Sequence, residues 1–164
     1  MREKYRSRQI EATQSHVVVI HCSYPRYQPH FQDFLHTGLG LTNYGLIAIP
    51  GGVEHLSPSE KSDMLRSQGS AWFDFMTKLM AAERCILIGH ADCRWYVVNR
   101  IEIDESRLKE HKLRDLVAVR EMLRRRFPGV SVELYFAEIE GQEASFTEVG
   151  EPALTSERQA TRPL

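Results

Sequence analysis

A short apolar run, Ile86-Leu87-Ile88, ends in Gly89 and is followed at once by His90 and, after two further residues, by Cys93. Apolar residues in succession suit a strand buried on both faces, as in a parallel sheet, and Gly89 frees the chain to turn where that strand runs out. In α/β proteins sites form at such strand ends, so His90 and Cys93 are expected together at a crevice. A neutral imidazole and a thiolate are both good zinc donors, and this pair supplies half of a tetrahedral shell.

The comparable stretch is Val17-Val18-Val19-Ile20-His21-Cys22, another apolar, β-branched run, and it ends in a cysteine. If the two strands lie parallel and near each other, both run out at one edge of the sheet and Cys22 meets His90 and Cys93. The shell is then Cys-His-Cys. A structural zinc is closed by a fourth side chain, whereas three protein ligands leave a position for water or substrate. His21 precedes the cysteine and, by strand alternation, points to the opposite face.

Cys22-Ser23-Tyr24-Pro25-Arg26, taken with Gly89-His90-Ala91-Asp92-Cys93, resembles the beta-class carbonic anhydrases. In that family C-x-D-x-R and H-x-x-C supply the zinc ligands and an Asp–Arg dyad. The likeness runs from Val17 to about Val149, and Pro50-Gly51-Gly52 falls where the family has a glycine turn after its second strand. It implies an α/β fold with a mostly parallel central sheet and helices on both faces. It also implies Zn2+ on Cys22, His90 and Cys93, a homodimer or higher homo-oligomer, and hydration of carbon dioxide or another small electrophile by zinc-bound hydroxide. The site residues that match are Arg26 as the dyad arginine and Tyr24 at the dyad aspartate's position. Arg94 stands where the family usually has glycine. A neutral phenol makes no ion pair with Arg26, so the dyad is incomplete. Asp92 either brings a carboxylate to Arg26 or faces solvent. Gly51 and Gly52 either let backbone N–H groups approach a small bicarbonate-like anion or simply make a tight turn.

A chain of 164 residues suits one domain, here residues 16–150, flanked by an N-terminal arm or short helix over 1–15 and a flexible tail over 151–164. A net charge of −1 provides no field to steer the protein to nucleic acid or to an acidic lipid surface. Three widely spaced cysteines argue for reduced thiols and a cytoplasmic setting rather than a disulfide framework. The charged N-terminus lacks a secretory apolar core, and no apolar run approaches membrane-spanning length.

Between the strands the periodicity is helical. Phe31, Phe34 and Leu35 mark a short helix ending near Gly38, and Tyr44–Ile49 reads as the second strand. Ser57-Pro58-Ser59-Glu60 has the form of a capping box, with Gly69-Ser70 expected to interrupt the helix. A second helix then sets Trp72, Phe73, Phe75, Met76, Leu79 and Met80 on one broad face, against the sheet or in part against a partner subunit. His55 reads as a surface or pocket histidine, and Cys85 as a small buried hydrophobe. Trp95 and Tyr96, next to Arg94, are expected in the cleft. Asp104 caps a long helix whose last turns hold Arg120, Arg124, Arg125 and Arg126, cations that complement a helix C-terminus without any nucleic acid. Val130, Val132, Leu134 and Phe136 alternate as a closing strand.

Two other functions fit parts of the pattern. A Cys-His-Cys site closed by a fourth protein ligand makes a non-catalytic sensor or scaffold module. The run into His21-Cys22 also resembles the cysteine-dependent phosphatases, which need H-C-x5-R. Here Arg26 comes two residues early, position 28 is Gln28, and Pro25 removes an N–H from the loop that must wrap phosphate.

Overall fold

The computed structural model describes residues 14–58, 62–99 and 103–150. The tail expected over 151–164, and all of the expected arm except Gln14 and Ser15, lie outside the described residues. Five strands form one sheet in the order β2-β1-β3-β4-β5. They are β1 (Val17–Cys22), β2 (Gly45–Ile49), β3 (Arg84–His90), β4 (Ser131–Glu140) and β5 (Glu143–Glu148). The first four run parallel, and β5 returns antiparallel to β4.

Alternation along the strands divides the core into two layers. Val18 and Ile20 of β1, with Cys85 and Leu87 of β3, face α2 (Asp63–Leu79) and α4 (Leu108–Arg126), where Phe73, Leu116, Val119 and Leu123 are buried. Val19, Ile86 and Ile88 face α1 (Gln28–Asp33) and the π-helical turn Phe34–Gly38 that continues it, packing on Tyr27, Phe31 and Leu35. Each of those three side chains is fully buried, a contribution of about 1.5–3 kcal/mol apiece. Helices therefore cover both faces, and β1 and β3 are adjacent and parallel, with Ile20 beside Leu87 and His21 beside Ile88. That register brings the ends of both apolar runs to the same edge.

Several local expectations are corrected. Gly89 lies inside β3 without a left-handed φ; it is small because a Cβ there would stand 2.8 Å from Leu116 Cδ1, so it lets α4 pack close to the sheet. The second long helix starts at Asp63, with Ser62 as its cap: the Ser62 hydroxyl accepts a hydrogen bond from Leu65 N–H at 3.3 Å. Ser57 is instead buried and donates to Asp115, while Ser59 and Glu60 lie outside the described residues. Gly69 does not interrupt α2; it is where the helix presses on His55, and a Cβ would meet the His55 side chain and carbonyl at 2.7 Å. On that helix Phe73 is buried, but Trp72, Phe75 and Leu79 are 58%, 63% and 61% exposed.

Asp104 accepts hydrogen bonds from the Ser106 N–H and hydroxyl, capping the 3-10 turn Glu105–Arg107 that leads into α4. Of the four arginines late in α4, Arg120 is buried and donates to the carbonyls of Val149 and Gly150, and Arg126 pairs with Asp74. Cys85 is fully buried, and burial pushes its thiol well above the ordinary range. Among the described residues no helix is long and apolar enough to cross a membrane.

Candidate metal centre

The last residue of β1, the last residue of β3 and the turn after β3 deliver Cys22, His90 and Cys93 to one point. One donor atom from each lies within 4.8 Å of the others, and all three residues are buried. The two sulfurs are 3.9 Å apart. That is far beyond a disulfide's roughly 2.05 Å. It is close to the edge of about 3.8 Å that two Zn–S bonds of about 2.3 Å make at a tetrahedral angle. His90 Nε2 is buried and has no hydrogen-bond partner. An orphaned ring nitrogen beside two thiols costs about 1–3 kcal/mol unless something accepts its lone pair or its proton. The donor set and the orphaned atom both fit a zinc ion. Among the described residues no fourth His, Cys, Asp or Glu joins the group.

The thiol pair is already polarised. Cys93 shares its proton with Cys22 Sγ, and His90 and the Gly51 N–H, 3.3 Å away, favour charge on the same sulfur, so Cys22 ionises more readily than a free thiol. Cys93, hydrogen-bonded to that sulfur and buried, is shifted the opposite way. Cys22 and Cys93 pack in one buried cluster with Tyr96, whose hydroxyl donates to Asp115 at 3.2 Å.

Gly51 and Gly52 make a turn with φ of 84° and 56°, and both are left without a side chain by close neighbours. A Cβ on Gly51 would fall 2.7 Å from the Trp95 ring, and one on Gly52 would fall 2.5 Å from Cys22 N. The turn reaches the cluster directly, since its Gly51 N–H donates to Cys22 Sγ. His55 is buried behind it rather than on the surface, with Nε2 2.6 Å from Pro50 O and its ring 4.8 Å from that of Trp95.

Tyr24 stacks its ring beside His90, 5.9 Å between centroids at 17°. Arg26 has a partner, which its own loop does not reveal: Nη1 lies 3.3 Å from Asp92 Oδ2, with the two side chains 55% and 43% exposed. Asp92 also places Oδ1 3.5 Å from His90 Nδ1 and is hydrogen-bonded by Tyr27. Burial works against its charge, but Tyr27, its own N–H and His90 together hold its carboxyl below the usual range. Arg94 opens α3 (Arg94–Asn99) with its side chain exposed. His21 lies on the α1 face, ring 4.5 Å from Phe31 and Nδ1 3.0 Å from Cys22 O, and burial lowers its pKa.

Lys112 escapes a sequence reading because a lysine in a charged helix reads as solvated. It is buried, and its ammonium donates to the carbonyls of His90 and Ala91, with the Tyr96 ring 5.2 Å below. Desolvation lowers its pKa. The spacing of Lys112 to Leu116, i to i+4, places it on the buried stripe of α4, and that is the one signal the sequence carries.

No family model matches the chain, and no curated protein matches it. Solved structures do. One of two tetrameric beta-carbonic anhydrases from the filamentous ascomycete Sordaria macrospora superposes with a TM-score of 0.55 at 14% identity, covering 85% of this chain and 82% of the other. The beta-carbonic anhydrase CcaA gives 0.54 at 12%, over 85% and 80%. CafA of the fungal pathogen Aspergillus fumigatus gives 0.51 at 13%, over 85% and 78%. The fold of this chain is thus the beta-carbonic-anhydrase-like α/β fold, carried by a divergent sequence.

Proposed function

We propose that this chain is a zinc protein of the beta-carbonic-anhydrase fold, holding the ion through Cys22, His90 and Cys93 with one position left for water or substrate. The observation that carries the reading is the convergence of the three donors around the orphaned His90 Nε2. Zinc bound by three protein donors acts as a Lewis acid and activates water near neutral pH for attack on a small electrophile such as carbon dioxide. The chain's residues do the rest. Gly51 N–H and Lys112 steady Cys22 and the His90–Ala91 carbonyls, so the donors are held before the metal arrives.

Tyr24 lies against His90 where the resemblance places an aspartate, and Arg26 is engaged by Asp92. A phenol orients a nucleophile less firmly than a carboxylate, so carbon dioxide hydration by this chain is slow. The same feature favours a second reading, a zinc module that senses or scaffolds. A phosphatase is disfavoured, since Cys22 is committed to Cys93 and Gly51 and Arg26 to Asp92.

We also propose a cytoplasmic homo-oligomer. The exposed Trp72, Phe75 and Leu79, with Leu46 on the edge strand β2, are the apolar surface that a second copy covers. The test of the zinc reading is metal content. Purified wild type is expected to hold about one zinc per chain, and Cys22→Ser or Cys93→Ser to lose most of it. Stoichiometric zinc in both variants refutes the site.

A further inference from the structure

A metal-binding imidazole must present one nitrogen as a lone pair, which requires the proton to sit on the other. For His90 the buried, unpartnered atom is Nε2, and the atom with a carboxylate nearby is Nδ1. We infer that Asp92 is the outer carboxylate of this site, accepting the Nδ1–H of His90 and so holding the tautomer and ring angle that aim Nε2 at Cys22 and Cys93. This rests on the zinc reading proposed above and adds to it a positioning residue.

Three contacts fix Asp92 for that task. Oδ1 lies 3.5 Å from His90 Nδ1, Oδ2 lies 3.3 Å from Arg26 Nη1, and the Tyr27 hydroxyl donates to the same carboxylate. Tyr27 is fully buried, and its ring centroid is 4.3 Å from that of His90, so one residue both walls the imidazole and anchors its acceptor. Phe31 meets the His90 ring edge-on at 6.1 Å and Tyr24 flanks it, which leaves rotation about χ2 little room. Arg26 follows β1 by four residues, whereas Asp92 lies between the other two ligands. Their ion pair therefore ties together the two segments that must converge for three donors to meet, across 66 positions of chain. With its guanidinium on Asp92, the arginine serves the histidine ligand through that carboxylate.

The test measures zinc affinity by competition with a chromophoric chelator on full-length wild type, Asp92→Ala, Asp92→Asn and Arg26→Gln, together with the melting of each apoprotein. Loss of an outer-shell partner weakens metal binding by about 10–100-fold, and Asp92→Ala is expected in that range. Asp92→Asn keeps an acceptor without the charge and falls between it and wild type. Arg26→Gln leaves Asp92 in place and loses less than Asp92→Ala. Because the Arg26–Asp92 pair is exposed, the apoproteins are expected to melt within about 4 °C of wild type. Asp92→Ala binding zinc within about two-fold of wild type overturns the inference and leaves the zinc site standing. An apoprotein that melts far below that window, with zinc affinity lost in step, assigns Asp92 a merely structural role and also overturns it. A wild type that takes up no zinc overturns the site itself, and the inference with it.

Discussion

Replacing Gly52 by alanine measures how tightly the Gly51-Gly52 turn is pressed against the end of β1. Gly52 has φ of 56°, a region in which an L side chain costs roughly 1–2 kcal/mol. The added Cβ would also stand 2.5 Å from Cys22 N and 2.6 Å from His21 C, both backbone atoms that no rotamer change can move aside. Reaching an ordinary contact of 3.4 Å demands a backbone shift of roughly 0.9 Å in a close-packed region. Overpacking of this kind costs about 1–3 kcal/mol, so the total is about 2–5 kcal/mol. In a protein of this length each kcal/mol moves Tm by about 2–4 °C, which gives a drop of about 4–20 °C. Gly40→Ala is the matched control: its φ is 67°, but nothing lies within 4 Å of the added Cβ, so only the conformational cost remains, a drop of about 2–8 °C. Calorimetric melts of both variants read the difference. Zinc uptake by Gly52→Ala should weaken as well, because the displaced turn carries the Gly51 N–H away from Cys22 Sγ. A Gly52→Ala variant no less stable than Gly40→Ala, with unchanged zinc affinity, refutes the reasoning.

Two further outcomes follow from other pairs. Glu133 accepts from Arg84 Nε at 2.6 Å and Nη2 at 2.8 Å, and that guanidinium holds its carboxyl below the ordinary value of 4.5. A depressed carboxyl stabilises the fold above its unfolded pKa and loses that contribution as pH falls through its folded value. Glu133→Gln is therefore expected to cost about 1–2 kcal/mol at pH 7, with the gap to wild type closing as pH is lowered below 4.5; urea melts at several pH values check this, and a constant gap contradicts it. Stopped-flow hydration of carbon dioxide on zinc-loaded protein should be slow for wild type and faster for Tyr24→Asp, since a missing positioning group is worth about 10²–10⁴-fold. A wild type as fast as an efficient carbonic anhydrase shows that the phenol suffices.

The parallel core was legible because strands buried on both faces leave an uninterrupted apolar record, and Val17–Ile20 and Cys85–Ile88 are such runs. The convergence of Cys22, His90 and Cys93 was legible for the same reason, since the first two end buried strands and the third lies in the turn just after β3. β5 was not, because an edge strand of sequence Glu-Ala-Ser-Phe-Thr-Glu buries little and carries no apolar run. The continuity of α2 through Gly69 was hidden because the glycine answers to His55, a neighbour in space that the local pattern does not contain. Lys112 and the Arg26–Asp92 pair were illegible or undecided on the same ground: their partners lie 22 and 66 residues away, on different elements, and charge pattern alone does not reveal them. Asp92 lies between His90 and Cys93 in the sequence, yet its contacts depend on Tyr27 and Arg26 arriving from the other side of the site.

X-ray absorption at the zinc edge of the purified wild type examines the metal centre most directly, because sulfur and nitrogen donors differ in both distance and scattering. Cys22, His90 and Cys93 with one open position predict two sulfurs at about 2.3 Å, one imidazole nitrogen at about 2.0–2.1 Å and one further light atom. A spectrum with fewer than two sulfurs, or with a second imidazole in place of a sulfur, contradicts the assignment.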